Sequence, residues 1–187
     1  MLITILGPDG TGKTTLAKLI SNRYKNIQYI YFGNNLENRK YKFFSNFLYS
    51  NKKGKLNTLL KYIFVFINDL YYYSLAKTRH IISDRCPIDK YISSVVKNEK
   101  IRKHYHWLTL KLFPDPDYVI LLQGDPVDLF LRKKEISESL ISQYIQLYEK
   151  YVKSNKIKFI KIDTIANDKK ETFDIASKSI EILINEK

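Results

Sequence analysis

The sequence has one cysteine, Cys86, so an internal disulfide framework is excluded. It also lacks a long hydrophobic run. The longest apolar runs, such as residues 63–67, are far too short to span a bilayer. Residues 1–6 are apolar but carry no basic leader, so we expect no signal peptide. Internal repeats, low-complexity stretches and linkers are also missing. These features predict one cytoplasmic domain without a membrane partner.

Acidic residues are fewer than basic ones. The chain has 32 Lys and Arg and 19 Asp and Glu, which gives a formal net charge of +13. A field of this sign attracts phosphate groups on nucleotides, nucleic acids or anionic membranes. Biased coding composition explains the same excess equally well, because the chain is rich in Lys, Ile, Asn and Tyr. The lysines are scattered, and no segment combines clustered basic residues with interleaved aromatic residues. A nucleic-acid partner is therefore not expected.

Short apolar runs alternate with segments of helical periodicity along the chain. Strands are predicted at residues 2–6, 27–32, 81–84, 118–122 and 157–162. Helices are predicted at residues 12–24, 56–77, 102–113, 137–154 and 169–185, with two more starting at Pro87 and Pro126. Strands separated by helices are typical of parallel βαβ units. The sequence thus predicts an α/β fold whose five-stranded parallel sheet carries helices on both faces.

Residues 7–14 read GPDGTGKT and fit the phosphate-loop pattern G-x-x-x-x-G-K-[ST] at every fixed position. Glycines let the backbone N–H groups turn toward phosphate oxygens, and the following helix adds the positive end of its dipole. Lys13 is expected to reach the β- and γ-phosphates of ATP, and the Thr14 hydroxyl to bind Mg²⁺. A chain of this length matches by chance roughly one time in a hundred or less. The expected ATP-binding residues are Gly7, Asp9, Gly10, Thr11, Gly12, Lys13, Thr14 and Thr15.

Three segments, in this order, resemble the thymidylate kinase family. GPDGTGKTT at residues 7–15 is similar to that family's G-x-D-G-A-G-K-[ST]-T loop, including the acidic residue. ISDR at residues 82–85 resembles its D-R-[YF] motif, with Cys86 in the aromatic position. PDYVILL at residues 116–122, followed by Asp-Pro and Arg132, resembles its P-D-L-x-[IL]-x-L-D-x-x-P-E-x-x-x-x-R segment. The resemblance implies a three-layer P-loop NTPase fold and a single kinase domain over residues 1–187.

The resemblance also implies a role for each matching residue. Arg85 would bind the phosphate of an acceptor nucleotide, and Asp84 would arrange the water shell of Mg²⁺ or the attacking oxygen. Asp9 would contact the acceptor sugar, and Arg132 would be an arginine of the lid. The expected catalytic residues are therefore Lys13, Asp9, Asp84, Arg85 and Arg132, and the expected metal ligands are Thr14 and Asp84.

Each of these residues has a structural interpretation as well. The acid–arginine pair after the third strand can form a salt bridge that only positions a loop, and the loop's Asp-Gly pair favours a turn by itself. Basic residues at a helix end complement the helix dipole, which accounts for Arg132 and equally for Lys133 and Lys134. The lid that they would form is short and spans residues 132–138.

The chain also departs from the family. YFGNN at residues 31–35 stands where the family has R-E-P-G-[GS], and Arg39 either replaces the missing arginine or is a surface charge. The arginine that the family places early in the central helix to read thymine is absent. Tyr62, Phe66 and Tyr73 of that helix either stack on a base or belong to the core.

The leading functional hypothesis is an ATP-dependent kinase that phosphorylates a nucleoside monophosphate, dTMP in first place. A kinase for a nucleoside or another small phosphorylated acceptor is the first alternative. The second is a non-catalytic ATP-binding module that controls a partner. The sequence leaves open whether the chain forms a homodimer.

Overall fold

A computed structural model of the chain describes residues 1–32 and 55–185. The strands within these ranges are β1 (Leu2–Leu6), β2 (Ile27–Tyr31), β3 (His80–Asp84), β4 (Tyr118–Gln123) and β5 (Lys158–Asp163). The helices are α1 (Lys13–Arg23), α2 (Lys55–Ala76), α3 (Pro87–Val96), α4 (Lys100–Leu112), α5 (Pro126–Lys133), α6 (Glu138–Ser154) and α7 (Lys169–Asn185). Arg39 lies outside the described residues, and so do residues 33–35 of the segment that stands in place of R-E-P-G.

The strands pair in parallel, and the strand order is β2-β3-β1-β4-β5. β1 lies between β3 and β4 and is buried along its whole length, as a strand covered on both faces requires. Ile5 of β1 is in register with Asp84 of β3, so the carboxyl ends of these two strands meet at one edge of the sheet. The loop after β1 and the residues after β3 therefore emerge side by side.

Alternate residues of β1 enter different cores, because successive strand side chains point to opposite faces. Ile3 and Ile5 pack with α1 and α7 on one face. Leu6 packs with α3 and α6 on the other face, and Leu2 packs with residues of α2. The chain thus has three layers, and the predicted parallel α/β sheet with helices on both faces is confirmed.

The predicted elements are present with small shifts at their ends, such as α4, which begins and ends slightly earlier than the pattern indicated. Asp125 caps α5 as predicted, since its carboxylate accepts a hydrogen bond from the Val127 N–H at 2.9 Å. No described helix meets the length and hydropathy required to cross a membrane.

Two aromatic residues of α2, Phe66 and Tyr73, pack against other aromatic rings. The rings of Phe66 and Tyr73 lie 5.5 Å and 4.7 Å from that of Phe113. Tyr73 is also 5.4 Å from the ring of Phe32 and is buried. These contacts support the core interpretation of the two side chains, whereas the side chain of Tyr62 lies outside the described residues.

Candidate active site

The loop between β1 and α1 has a backbone that only glycine adopts readily. Gly7 has φ +151°, and a Cβ atom there would lie 2.4 Å from the carbonyl oxygen of Leu122. Gly12 has φ +82° in the left-handed region and precedes the first residue of α1. The Thr11 hydroxyl closes the loop on itself by donating to the Pro8 carbonyl at 2.8 Å. The predicted phosphate loop thus runs directly into the positive end of a helix.

Lys13, the first residue of α1, points back into this loop. Its Nζ atom donates a hydrogen bond to the Pro8 carbonyl at 2.7 Å and lies 3.6 Å from Asp9 Oδ1. The side chain is only 6% exposed. Burial lowers the pKa of Lys13, the charge of Arg85 lowers it further, and Asp9 partly offsets both effects. The ammonium group therefore lies inside the loop, where an anion would relieve the cost of burying its charge.

Thr14 and Asp84 contact each other across the meeting point of α1 and β3. The Thr14 hydroxyl donates a short hydrogen bond to Asp84 Oδ2. The other carboxylate oxygen, Oδ1, is buried and has no hydrogen-bond partner among the described residues. Burial raises the pKa of Asp84, and this effect exceeds the opposing effects of Thr14, Lys13 and Arg85.

This pair of oxygen donors fits Mg²⁺. Magnesium prefers carboxylate and hydroxyl oxygens, and it keeps several ligands for water and substrate phosphates. The unpartnered Oδ1 of Asp84 is an atom that such an ion or its water shell would satisfy. Within the described ranges, no cluster of three or more His, Cys, Asp or Glu side chains offers another metal site. Thr14 and Asp84 are thus the residues that would hold the ion.

Arg85 follows β3 with a left-handed backbone, φ +73°, which is uncommon for a residue with a side chain. Its backbone N–H donates to the Ile5 carbonyl at 3.2 Å, which keeps it against the end of β1. The guanidinium lies between two carboxylates, with Nη2 at 2.6 Å from Asp9 Oδ1 and Nη1 at 2.9 Å from Asp89 Oδ2. The charge of Asp89 is the main cause of the raised pKa of Arg85. The structure therefore brings Arg85 to the phosphate loop.

Asp9 links the two cations of the site. The same oxygen, Oδ1, faces Lys13 and Arg85, and the side chain is 33% exposed. Burial alone would raise the pKa of Asp9, but the charges of Lys13, Arg85 and Lys133 outweigh burial and lower it. The carboxylate of Asp9 forms ion pairs with Lys13 and Arg85. The tendency of its Asp-Gly sequence to form a turn does not account for these contacts.

Arg132 borders a cavity of about 300 Å³ that lies beside the phosphate loop and α1. Its Nη2 atom donates to the Thr164 carbonyl at 2.7 Å, which joins the end of α5 to the loop after β5. Arg132 thus lines the cavity, and Arg85 is not among the described residues that line it. The cavity is lined by Gly10, Thr11, Gly12, Thr15, Leu16, Leu19, Arg132, Thr164, Asn167, Asp168, Lys169 and Thr172.

The two lysines that follow Arg132 differ from each other. Lys133 pairs with Glu135 at 3.0 Å and also contributes positive charge at Asp9. Lys134 ends α5 with φ +50°, and its N–H donates to the Phe130 carbonyl at 2.7 Å. Lys134 is therefore the C-terminal cap of α5, and whether its side chain acts in a lid stays a prediction.

Sequence reasoning missed two residues of this site. Asp89 lies four residues after Arg85, and helical spacing after Pro87 would have indicated that ion pair. Tyr148 donates a short hydrogen bond to Asp89 across a separation of 59 residues. No local pattern indicates a contact of that kind.

No family model matches the chain, and no curated protein does. Among solved structures, deoxyadenosine kinase from M. mycoides with bound dATP has a TM-score of 0.64 at 22% identity, over 97% of this chain and 100% of that one. This chain has the fold of the thymidylate and deoxyadenosine kinases.

Two thymidylate kinases support the same conclusion. That from Candida albicans has a TM-score of 0.64 at 18% identity and covers 98% of this chain and 90% of its own. That from Ehrlichia chaffeensis has a TM-score of 0.55 at 20% identity and covers 98% of each chain. The predicted P-loop fold is therefore confirmed, and so is the likeness to thymidylate kinases at the level of the fold.

Proposed function

We propose that this chain is an ATP- and Mg²⁺-dependent kinase that phosphorylates a nucleoside monophosphate, with dTMP as the preferred acceptor. The observation that carries the proposal is the pair of cations beside one carboxylate. Lys13 Nζ and Arg85 Nη2 lie 3.6 Å and 2.6 Å from Asp9 Oδ1. A reaction between two phosphate groups needs positive charge on both, and these two side chains supply it from different elements of the fold.

The donor nucleotide fits the loop and its neighbouring cavity. Phosphates of ATP would bind the glycine-rich backbone and Lys13. The cavity of about 300 Å³ continues from Gly12 past Leu16 and Leu19, which offer an apolar surface to a planar base. Arg132 closes one side of it and can stack on such a base. This arrangement supports ATP as the phosphoryl donor.

The acceptor phosphate would bind Arg85. A guanidinium matches phosphate oxygens in two parallel hydrogen bonds, which fixes orientation as well as charge. A phosphate monoester is largely a dianion at neutral pH, since its second pKa is about 6. Its oxygen can therefore attack the γ-phosphorus of ATP without losing a proton to the protein.

In the transfer, the acceptor oxygen forms a bond to the γ-phosphorus while the bond from that phosphorus to the β,γ-bridging oxygen breaks. The products are ADP and a nucleoside diphosphate. Lys13 stabilises the charge that develops on the transferring group. Thr14 and Asp84 would hold Mg²⁺, which would supply neutralisation of the phosphate charge.

A nucleoside kinase is the second candidate, because deoxyadenosine kinase is among the solved structures with this fold. A nucleoside hydroxyl must lose a proton as it attacks, so that reaction requires a general base. The presence of Arg85 beside Lys13 favours the phosphorylated acceptor, whereas a neutral hydroxyl gives this arginine no anion to bind.

The test is the release of ADP from purified protein with ATP, Mg²⁺ and one acceptor at a time. The acceptors are the thymidine, deoxyuridine, deoxycytidine, uridine and guanosine monophosphates together with thymidine and deoxyadenosine. We expect the highest kcat/KM with dTMP and appreciable activity with the uridylates. A purine or cytidine monophosphate in first place would refute dTMP, and turnover with nucleosides alone would favour the second candidate.

Arg85→Ala tests the acceptor side directly. We expect a higher KM for the acceptor and a lower kcat with little change in the KM for ATP, because the truncation leaves the acceptor phosphate unpaired. Loss of ATP binding with retained acceptor binding, measured by calorimetry, would show that the two sites are reversed.

A further inference from the structure

Asp89 is a buried carboxylate in the first turn of α3 whose two oxygens both have partners. The residue is 4% exposed. Oδ2 accepts from Arg85 Nη1 at 2.9 Å, and Oδ1 accepts a short hydrogen bond from the Tyr148 hydroxyl. A negative charge in the first turn also interacts favourably with the helix dipole. The carboxylate of Asp89 is therefore fixed by Arg85, by Tyr148 and by the helix to which it belongs.

Tyr148 of α6 contacts the carboxylate oxygen of Asp89 that does not face Arg85. The ring is 1% exposed and belongs to the apolar core beneath α3. Burial, together with the negative charge of Asp89, raises the pKa of Tyr148 well above its ordinary value. The phenol is therefore protonated near neutral pH, where it donates to the carboxylate. A buried hydroxyl that is aimed at one acceptor fixes the position of that acceptor.

The two carboxylates on Arg85 are not equivalent. Asp9 is 33% exposed and belongs to the glycine-rich loop, whereas the side chain of Asp89 is 6% exposed and fixed in a helix. The remaining N–H groups of the guanidinium have no partner among the described residues. Asp89 is thus the rigid anchor of Arg85, and the exposed side of the guanidinium is open to an anion.

We propose that Asp89 is a positioning residue that holds the Arg85 guanidinium in the orientation that binds the acceptor phosphate, with Tyr148 fixing Asp89. This inference rests on the proposed function, in which Arg85 contacts the acceptor. The left-handed backbone of Arg85 agrees with it, because such a conformation persists only where the surroundings hold it. Neither residue touches the substrate in this scheme, and both act through Arg85.

The test uses Asp89→Asn and Tyr148→Phe, each made in the wild-type chain and in Arg85→Ala. Tyr151→Phe is the matched control, because this tyrosine of the same helix also donates to a carboxylate, that of Asp115, away from the site. Initial rates with ATP and dTMP give kcat and both KM values, and thermal unfolding shows whether each variant is folded. Tyr148→Phe removes one oxygen only and keeps the test valid if Asp89→Asn fails to fold.

We expect Asp89→Asn to raise the acceptor KM by about tenfold or more, the range for losing a hydrogen bond between charged groups. Tyr148→Phe should raise it about threefold to tenfold, the range for a neutral donor, and Tyr151→Phe should leave it unchanged. The ATP KM should stay within about twofold throughout. In Arg85→Ala, either substitution should add less than about twofold, since residues that act through one another are not additive.

Equal effects of the two substitutions with and without Arg85 would overturn the inference, as would equal increases in both KM values. In either case the wild-type activity and the raised acceptor KM of Arg85→Ala would remain, so the proposed function would stand. If the wild-type chain released no ADP with any monophosphate, both the function and the inference would be wrong.

Discussion

Replacing Lys13 by Met separates catalysis from stability at the phosphate loop. Methionine keeps most of the length and volume of the side chain and removes only the charge. In the structure this charge is buried, with one hydrogen bond of 2.7 Å to the Pro8 carbonyl and an ion pair of 3.6 Å to Asp9. Asp9 keeps its closer partner, Arg85, at 2.6 Å, so the substitution leaves no unpaired carboxylate.

The expected loss of turnover is large. In the proposed function Lys13 contacts the transferring phosphoryl group, and removing such a charge typically lowers kcat by about 10³-fold or more. That corresponds to about 4 kcal/mol of transition-state stabilisation, because each 1.36 kcal/mol is a factor of ten.

The expected effect on the free energy of unfolding is small. Burial already lowers the pKa of Lys13, so the folded chain holds this charge at a cost. Replacing a buried charge by an apolar side chain of similar volume is often neutral or stabilising. We expect the free energy of unfolding to fall by no more than about 1 kcal/mol, or to rise.

Both quantities are measured on the same preparations, by ADP release with dTMP and by urea unfolding. Lys18→Met is the control, because Lys18 is an exposed lysine of the same helix. It should alter neither quantity. Activity of Lys13→Met within about threefold of wild type would refute the assignment of the phosphate loop. A severe loss of stability would show instead that Lys13 is a structural residue.

Two further predictions concern the loop. Gly7→Ala places a Cβ 2.4 Å from a backbone oxygen, whereas Gly12→Ala meets nothing within 4 Å. Urea unfolding should therefore show a loss of about 3 kcal/mol or more for Gly7→Ala, and about 1–2 kcal/mol of backbone strain for Gly12→Ala; equal losses would contradict the geometry. The pKa of Asp9 lies below its ordinary 3.8, so its stabilising effect is complete above that pH and is lost as the pH falls through the folded pKa. Asp9→Asn should flatten the stability–pH curve in this acid range, and an unchanged curve would exclude the ion pairs of Asp9 as its cause.

The sequence by itself determined the phosphate-loop backbone, the cap of α5 and the order of strands and helices. These features depend on interactions within a few residues. Glycines at fixed spacing set the loop backbone, and Asp125 followed by proline sets the start of α5. The parallel sheet also follows from the alternation of elements, because a parallel connection needs a crossover helix. The single domain and the cytoplasmic location stay predictions from the sequence.

The tertiary structure alone decided which residues share the site. Asp9 and Arg85 are 76 positions apart, and they meet because β1 and β3 are neighbours with their carboxyl ends at one edge. The contact of Arg132 with the Thr164 carbonyl places it on the cavity beside α1, and its role in a lid stays a prediction. Tyr148 reaches Asp89 only because α6 packs against α3. Contacts of this kind depend on strand order and helix packing, which local spacing does not encode.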